Sequence, residues 1–77
     1  MQRFFFDVHD HAIIIDEDGT DLPDLEAAIR EAIRSLPAIA ADSIPNGDDR
    51  QNFTIIVRDA ERRPVYTAAM SFSGTRL

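Results

Sequence analysis

The residues of this chain best suited to binding a metal are its two histidines, His9 and His11, which stand two positions apart. In an extended strand they would share one face, about 7 Å apart, and Asp7 or Asp10 could add a carboxylate ligand. A protein metal site needs further ligands on rigid elements, and the segment HDH is short enough to be only a turn. We assign no metal here, and His9 and His11 remain the candidates for a small-ligand or metal-binding module.

The acidic stretch DEDGTDLPD, residues 16–24, invites comparison with calcium-binding loops. Aligning Gly19 with the invariant glycine of an EF-hand loop places Ile14 at the first ligand position and Leu25 where the bidentate glutamate belongs. Neither of these side chains can bind calcium. The stretch is better explained as a turn that leads into the cap of a helix.

The sequence lacks the residues that nucleophilic catalysis and phosphate binding usually require. The chain has no cysteine, its serines stand in no nucleophile-elbow motif, and both histidines belong to one turn. Its three glycines are too far apart to form a phosphate-binding loop. We therefore predict that the protein is not an enzyme and carries no cofactor.

The charge balance favours some partners over others. The net charge is −6 with a pI of about 4.6, and all the basic residues are arginine. An acidic protein of this kind repels the phosphate backbones of nucleic acids, so we predict no nucleic-acid partner. The same negative charge would attract a basic protein partner. The first residues form no signal peptide and no stretch could span a membrane, so we expect a cytoplasmic protein with no membrane contact.

Four segments have the short, β-branched and aromatic composition of strands. They cover residues 3–8, 12–16, 53–58 and 65–72. The segment HDH joins the first two and DAERRP joins the last two, so each pair is predicted to form a hairpin. We predict a single domain over residues 1–77, in which 72–77 form a frayed tail.

Between the two hairpins the sequence predicts one helix. Asp21 is the candidate N-cap, Pro23 suits the first turn, and residues 22–36 place apolar side chains at spacings of three and four. A proline inside a helix clashes with the carbonyl four residues earlier. We therefore expect Pro37 to kink or divide the helix, which should end before Pro45.

These elements predict an α+β fold of the ββαββ type. A right-handed crossover from the second strand, through the helix, to the third strand makes those two strands parallel. If the third strand lies beside the first, the result is a four-stranded antiparallel sheet of order 2-1-3-4. The single kinked helix then packs on one face of that sheet.

The other face of the sheet would have no helix over it. Alternation places Phe5, Ile14 and Ile56 on that face, and Tyr66 is the predicted fourth member, with Met70 and Phe72 as further candidates. A contiguous exposed apolar patch of this kind requires an explanation, whereas scattered apolar residues do not.

Three explanations for this patch remain open. Arg3, Asp7 and Arg58, or the C-terminal tail, could shield it. Two copies could bury it as a homodimer interface, or pair along the edge of the second strand, because so small a core gains from self-association. A ligand or a different protein could also bind it.

Arg58, Arg62 and Arg63 form the only basic cluster of the chain, at the second hairpin. A solvated turn explains such a cluster. Contact with an acidic patch on a partner copy is the alternative.

The stretch FFFDVHDHAIIIDEDGTDLPDLEAAIREA, residues 4–32, resembles a family of short bacterial proteins that form a domain of unknown function. Members open with an FFFD-type strand and continue with an acidic turn that contains glycine and an LPDLEAA-type helix start. VRDAERRPVY, residues 57–66, is similar to the closing hairpin of the family. The resemblance implies the boundaries and a single domain, and it implies no activity or catalytic residue.

A second likeness is architectural. Small acidic antitoxins of the HicB type also combine a short antiparallel sheet with a helix rich in alanine and glutamate, as in LEAAIREAI. They neutralise basic toxins, so this likeness implies a basic protein partner. Our sequence-based expectation is a non-enzymatic homodimer that acts through protein contacts, with an antitoxin-like binder or a ligand-binding module as alternatives.

Overall fold

The computed structural model describes residues 1–77, and it consists of one long helix packed on an antiparallel sheet. The five strands are β1 (Gln2–His9), β2 (Ile13–Ile14), β3 (Thr20–Leu22), β4 (Arg50–Arg58) and β5 (Pro64–Ser73). The helix, α1 (Leu25–Ser43), precedes β4, and one turn of 3-10 helix (Ile44–Asn46) follows it directly. The architecture is therefore α+β.

The sheet has five strands, where the sequence predicted four. Its order is β2-β1-β4-β5, and β3 also pairs with β1. The third and fourth strands of the predicted order 2-1-3-4 are β4 and β5 of the structure, so the observed order differs from the predicted one by the additional strand β3. The additional strand arises because β2 covers only the end of the outer edge of β1, where Val8 and His9 lie. After the turn at Gly19 the chain returns to this edge, and β3 pairs with its other end, from Gln2 to Phe4.

The helix begins at another residue than the sequence predicted, and it ends at Ser43, before Pro45, as predicted. Its N-cap is Asp24, whose carboxylate accepts from the backbone N–H of Ala27 at 2.9 Å. Asp21 is not the cap, because it belongs to β3 and forms an ion pair with Arg3. The helix is one segment that includes Pro37 rather than two parts, so the proline does not divide it.

The core lies between α1 and one face of β1, β4 and β5. Its large buried side chains are Phe4, Phe53, Ile55 and Val57 on the sheet. The buried residues of the helix are Ala28, Ala32, Leu36 and Ala40. Three of these four are alanine, and such small side chains allow a helix to pack close to the aromatic residues of a sheet.

Several sequence-based assignments to the uncovered face are wrong. Tyr66 and Met70 pack against the core on the helix side, because they are cross-strand partners of Val57 and Phe53. Ile14 is paired with Val8, which also packs against the core, so its side chain does not share a face with Phe5. A strand this short and isolated carries too little pattern to reveal its register.

Two further differences concern Phe5 and the end of the chain. The side chain of Phe5 lies on the open face of the sheet as predicted, but only 4% of the residue is exposed. Phe72 and Ser73 belong to β5 rather than to a frayed tail, and the backbone N–H of Gly74 donates to the carbonyl of Asp49 at 2.7 Å. Strand pairing and this hydrogen bond hold residues 72–74 in place.

Candidate functional site

The two histidines lie at the end of β1 and in the turn between β1 and β2, and they do not assemble a metal site. Asp10 organises this turn, because its carboxylate accepts from the backbone N–H of Ala12 at 2.9 Å. His11 Nδ1 lies 3.3 Å from Asp10 Oδ1, and the His11 side chain is otherwise exposed. No three histidine, aspartate or glutamate side chains are arranged to hold a metal ion. His9 ends β1, opposite Thr54 and Ile13.

A polar groove of about 730 Å³ lies beside this turn, where the C-terminal end of α1 meets the start of β4. Its ionisable side chains belong to Asp10, His11, Asp42, Asp48 and Arg50. Only one of the residues lining it is hydrophobic. Ligand sites are usually concave and mostly apolar with a few polar groups, so this groove lacks the usual character of one.

Asp7 and Arg58 form an ion pair on the open face of the sheet. Arg58 Nε donates to Asp7 Oδ2 at 2.8 Å, and a terminal guanidinium nitrogen donates to Oδ1 at 3.0 Å. The same nitrogen also donates to the backbone carbonyl of Asp16 at 3.0 Å. Asp7 is the one buried charged residue of the protein, and all its buried polar atoms have partners. Arg58 therefore links β1, β4 and the turn at Asp16.

Asp16 holds the turn that leads into β3. One carboxylate oxygen accepts from the N–H groups of Asp18 and Gly19, and the other accepts from the N–H of Phe6. Its own N–H donates to Asp7 at 3.0 Å. The N–H of Phe6 points away from β4, so Asp16 occupies the gap between β2 and β3 along the edge of β1. The acidic stretch is thus a structural turn, with no ligand-binding geometry.

These contacts shift the pKa values of both carboxyl groups downwards. Burial alone would raise the pKa of Asp7, but the hydrogen bonds from Arg58 and from the N–H of Asp16 outweigh it and lower the pKa. Burial would likewise raise the pKa of Asp16. Hydrogen bonds from the N–H groups of Gly19, Phe6 and Asp18 outweigh that effect and lower the pKa of Asp16. Both carboxylates therefore stay ionised to a lower pH than a free aspartate, because these hydrogen bonds stabilise their charged form.

The arginines of the second hairpin shield Phe5. The guanidinium carbons of Arg58 and Arg62 lie 5.1 and 4.6 Å from the centre of the Phe5 ring, within the range of cation–π contacts. Arg62 adopts a left-handed backbone conformation, with φ of 66°. Arg63 pairs instead with Asp59 and Glu61 of its own turn. Shielding by Arg58 was among the sequence-based alternatives, whereas the contribution of Arg62 was not.

The outer edge of β5 has no neighbouring strand. This strand is ten residues long, pairs with β4 on one side only, and contains no charged residue. The other edge of the sheet is covered by β2, by β3 and by the Asp16 carboxylate between them. The structure therefore has one long open edge.

A second exposed feature is the corner formed by Ile13, Ile14 and Ile15. Their exposed fractions are 66%, 60% and 52%, which makes them the largest run of exposed apolar side chains in the structure. Glu17 and Asp18, which follow after the half-buried Asp16, are also exposed. We call residues 13–15 the isoleucine corner.

Sequence reasoning missed the joint role of Asp7, Arg58 and Asp16. A signal was present, because a carboxylate in the middle of the apolar strand FFFDV must find a partner if it is buried. The identity of that partner depends on the pairing of β1 with β4, which places Phe5 opposite Arg58. That register is a property of the tertiary structure.

The fold is a small α+β domain with one helix, and its accessible features include a strand edge, an apolar corner and a polar groove. The chain belongs to the DUF6894 family, a domain of unknown function, whose model matches residues 3–71. No curated protein and no solved structure matches the chain. No helix in the structure has the length and apolar character needed to cross a lipid bilayer.

Proposed function

We propose that this protein is not an enzyme and that it acts through protein–protein contacts as a homodimer. The observation that carries this proposal is the open edge of β5, ten residues long and free of charge. Natural proteins protect such edges with charged residues, prolines within the strand, bulges or a covering element. The outer edge of β5 has no charged residue and no covering strand, and its only proline stands at the first position. Its one irregularity is the register shift opposite Val57 and Arg58, at the same end of the strand as the proline.

The size of the core supports the same proposal. Only 10 of the 77 residues are buried. A chain of this length buries a smaller fraction of its surface on folding than a larger domain does, and self-association is a common way to supplement a small core. The chain contains no cysteine, so disulfides cannot supply that supplement.

The mass of the protein in solution tests this proposal. We expect light scattering at micromolar concentration to report twice the 8.6 kDa of one chain. Ala69→Lys, in the middle of β5, should give a folded monomer, because a lysine on an edge strand opposes pairing with another strand. Ala38→Lys, on the exposed side of α1, is the matched control and should remain a dimer.

A wild-type protein that stays at 8.6 kDa through this concentration range would contradict the proposal. Phe5→Asp is unsuitable as an interface probe, because Phe5 is buried within its own chain and the variant would lose stability for that reason alone. Circular dichroism of each lysine variant separates loss of association from loss of fold.

The isoleucine corner favours a second candidate function, an antitoxin-like contact with a basic protein. Burial of its exposed apolar side chains against a partner would be favourable. Glu17 and Asp18 beside it add negative charge, which complements a basic surface. Affinity capture from native cells with wild type, Ile14→Asp and the control Ala38→Asp tests this function. A basic protein retained by the control and lost with Ile14→Asp would support it, and equal capture by all three would exclude this corner as the contact.

A further inference from the structure

We propose that Asn46 is a site of spontaneous covalent modification whose rate is controlled by Gln51. In this modification the side-chain amide of Asn46 becomes a carboxylate, and no second chain is needed. Asn46 ends the single turn of 3-10 helix, and Gly47 follows it directly. The chain contains one other asparagine, Asn52, which is followed by Phe53.

The chemistry requires only the chain and water. The backbone nitrogen of Gly47 gives its proton to the solvent and attacks the side-chain carbonyl carbon, Cγ, of Asn46. A bond forms between that nitrogen and Cγ, the bond from Cγ to Nδ2 breaks, and Nδ2 takes up a proton and leaves as ammonia. Water then adds to either carbonyl of the resulting cyclic imide and opens the ring. The product at position 46 is aspartate or isoaspartate, the isomer in which the backbone runs through the side-chain carbon.

Gly47 obstructs this attack less than any other residue would. It has no Cβ to block the approach of Cγ to its nitrogen. Residues 45–50 are all exposed, so water reaches the reacting groups. The N–H of Gly47 donates to the carbonyl of Ile44 at 3.3 Å, which is longer than the usual upper value of about 3.2 Å. The attacking nitrogen is therefore held weakly.

Two side-chain amides hold the loop in its folded conformation. Asn46 Nδ2 donates to the carbonyl of Asp42 at 3.2 Å, which keeps Asn46 in the helical turn. Gln51 Nε2 donates to the carbonyls of Ile44 and Asp48 at 3.1 and 2.9 Å, and the same amide lies directly against the glycine. Ring closure requires Cγ to turn towards the following nitrogen, so it takes place when this loop opens locally. Gln51, which ties the loop to β4, therefore controls the rate.

Asn52 provides a comparison within the same chain, because it is also exposed but stands in a paired strand. Its Oδ1 accepts from Ser71 Oγ at 2.8 Å. The next residue, Phe53, is 1% exposed and lies opposite Met70 in the pairing of β4 with β5. The nitrogen of Phe53 reaches Cγ of Asn52 only when the sheet itself opens, which is far rarer than the opening of a surface loop. Conversion should therefore be confined to Asn46.

Conversion would weaken the C-terminal end of α1. The last carbonyls of a helix have no partner within it, and the amide of Asn46 donates to one of them. A carboxylate at this position has no proton to donate, and its charge stands at the negative end of the helix dipole. The last turn of α1 already contains Asp42 and no basic residue. The isoaspartate form also lengthens the backbone, which displaces the connection from α1 to β4.

Incubation of the purified protein at mildly alkaline pH, followed by tryptic peptide mapping, tests the modification. Trypsin cleaves after arginine, so Asn46 falls in the peptide of residues 35–50 and Asn52 in the peptide of residues 51–58. With time, the first peptide should acquire the mass of a carboxylate in place of an amide, in two chromatographic forms. The second peptide should stay unchanged. Equal conversion of the two peptides, or no conversion of the first, would overturn the proposal.

The variant Gln51→Met tests the control by Gln51. Methionine keeps the length of the side chain and removes both hydrogen bonds to the loop carbonyls, so conversion at Asn46 should become several-fold faster. Gln2→Met replaces the only other glutamine, which is exposed in β1, and should convert at the wild-type rate. Circular dichroism verifies that both variants are folded. An unchanged rate in Gln51→Met, or a folded wild type that converts as fast as the urea-unfolded chain, would overturn the control by Gln51.

Discussion

Arg58 and Asp7, which are 51 residues apart in the chain, form a two-point ion pair on the open face of the sheet. Both side chains are largely buried, and the guanidinium also reaches the carbonyl of Asp16 and covers the ring of Phe5. One arginine thus connects the first strand, the fourth strand and the turn before β3. It also removes Phe5 from the exposed surface.

Replacing Arg58 by methionine should destabilise the fold strongly. The substitution keeps most of the apolar length of the side chain, but it leaves the Asp7 carboxylate buried without its cation. Urea denaturation at a fixed protein concentration should show a loss of unfolding free energy several times that of Arg34→Met. Arg34 is the matched control, because its ion pair with Glu31 is on the surface, where such pairs contribute little. Equal losses in the two variants would contradict the structural role of Arg58.

The stability of the protein should decrease as the pH is lowered through the ordinary titration range of aspartate and below it. Asp7 and Asp16 have lowered pKa values in the folded state, so the unfolded chain binds protons first as the pH falls. The stability these groups contribute is therefore complete above the unfolded pKa of about 3.9, and it is lost as the pH decreases towards their folded values. Urea denaturation between neutral pH and pH 3 measures this loss.

Arg58→Met serves as the control for this pH dependence. Without the guanidinium, burial would dominate at Asp7 and its pKa would no longer be held down. The variant should therefore lose less stability between neutral and acidic pH than the wild type does. A steeper pH dependence in the variant would show that other groups govern acid unfolding.

Gly19→Ala should destabilise the protein by about 1–2 kcal/mol, the cost of a left-handed backbone for a residue with a Cβ. Gly19 has φ of +75°, and an added Cβ would lie 2.8 Å from Cγ of Arg3 and 3.0 Å from Cε1 of Phe5. Gly74→Ala is the control, because its Cβ would come no closer than 3.3 Å, to the tip of the Phe72 ring. Thermal and urea unfolding of both variants measure the difference, and a neutral Gly19→Ala would contradict the tight packing of this turn.

Pro37→Ala should stabilise the protein, by up to about 3 kcal/mol, the usual cost of a proline inside a helix. Pro37 is exposed in the second half of α1, so its ring contributes little to the core, and alanine restores a backbone donor. Ala38→Gly, the neighbouring exposed position, should change stability in the opposite direction by about 1 kcal/mol. A loss of stability in Pro37→Ala would indicate that the proline ring makes a contact the fold requires.

Much of the fold could be predicted from local patterns. The alternation of Phe4 and Phe6, and of Phe53, Ile55 and Val57, indicated the helix-facing side of two strands, and the structure has them packed against α1 or buried beneath it. The periodicity of residues 22–36 predicted the helix. Such patterns are reliable because each repeats several times within one element.

The residues that lie on the uncovered face of the sheet could not be predicted with the same success as the core. Ile14 was assigned to the wrong face because β2 has only two residues, and Asp21 was assigned to a cap because β3 has only three. Tyr66 was misplaced because the alternation within β5 groups Tyr66 with Met70 and Phe72, but the face on which this group lies depends on the pairing of β5 with β4. In each case the register depends on a partner strand.

The sequence by itself determined the helix and the three long strands β1, β4 and β5, because propensity, spacing and turn residues act over a few neighbouring positions. Only the tertiary structure decided that Arg58 and Arg62 cover Phe5, that Asp16 occupies the edge of β1, and that β5 keeps a free edge. These outcomes follow from pairing between strands that are distant in the chain. The register of such a pair depends on the free energies of all the competing strand pairings, which no local stretch of sequence specifies.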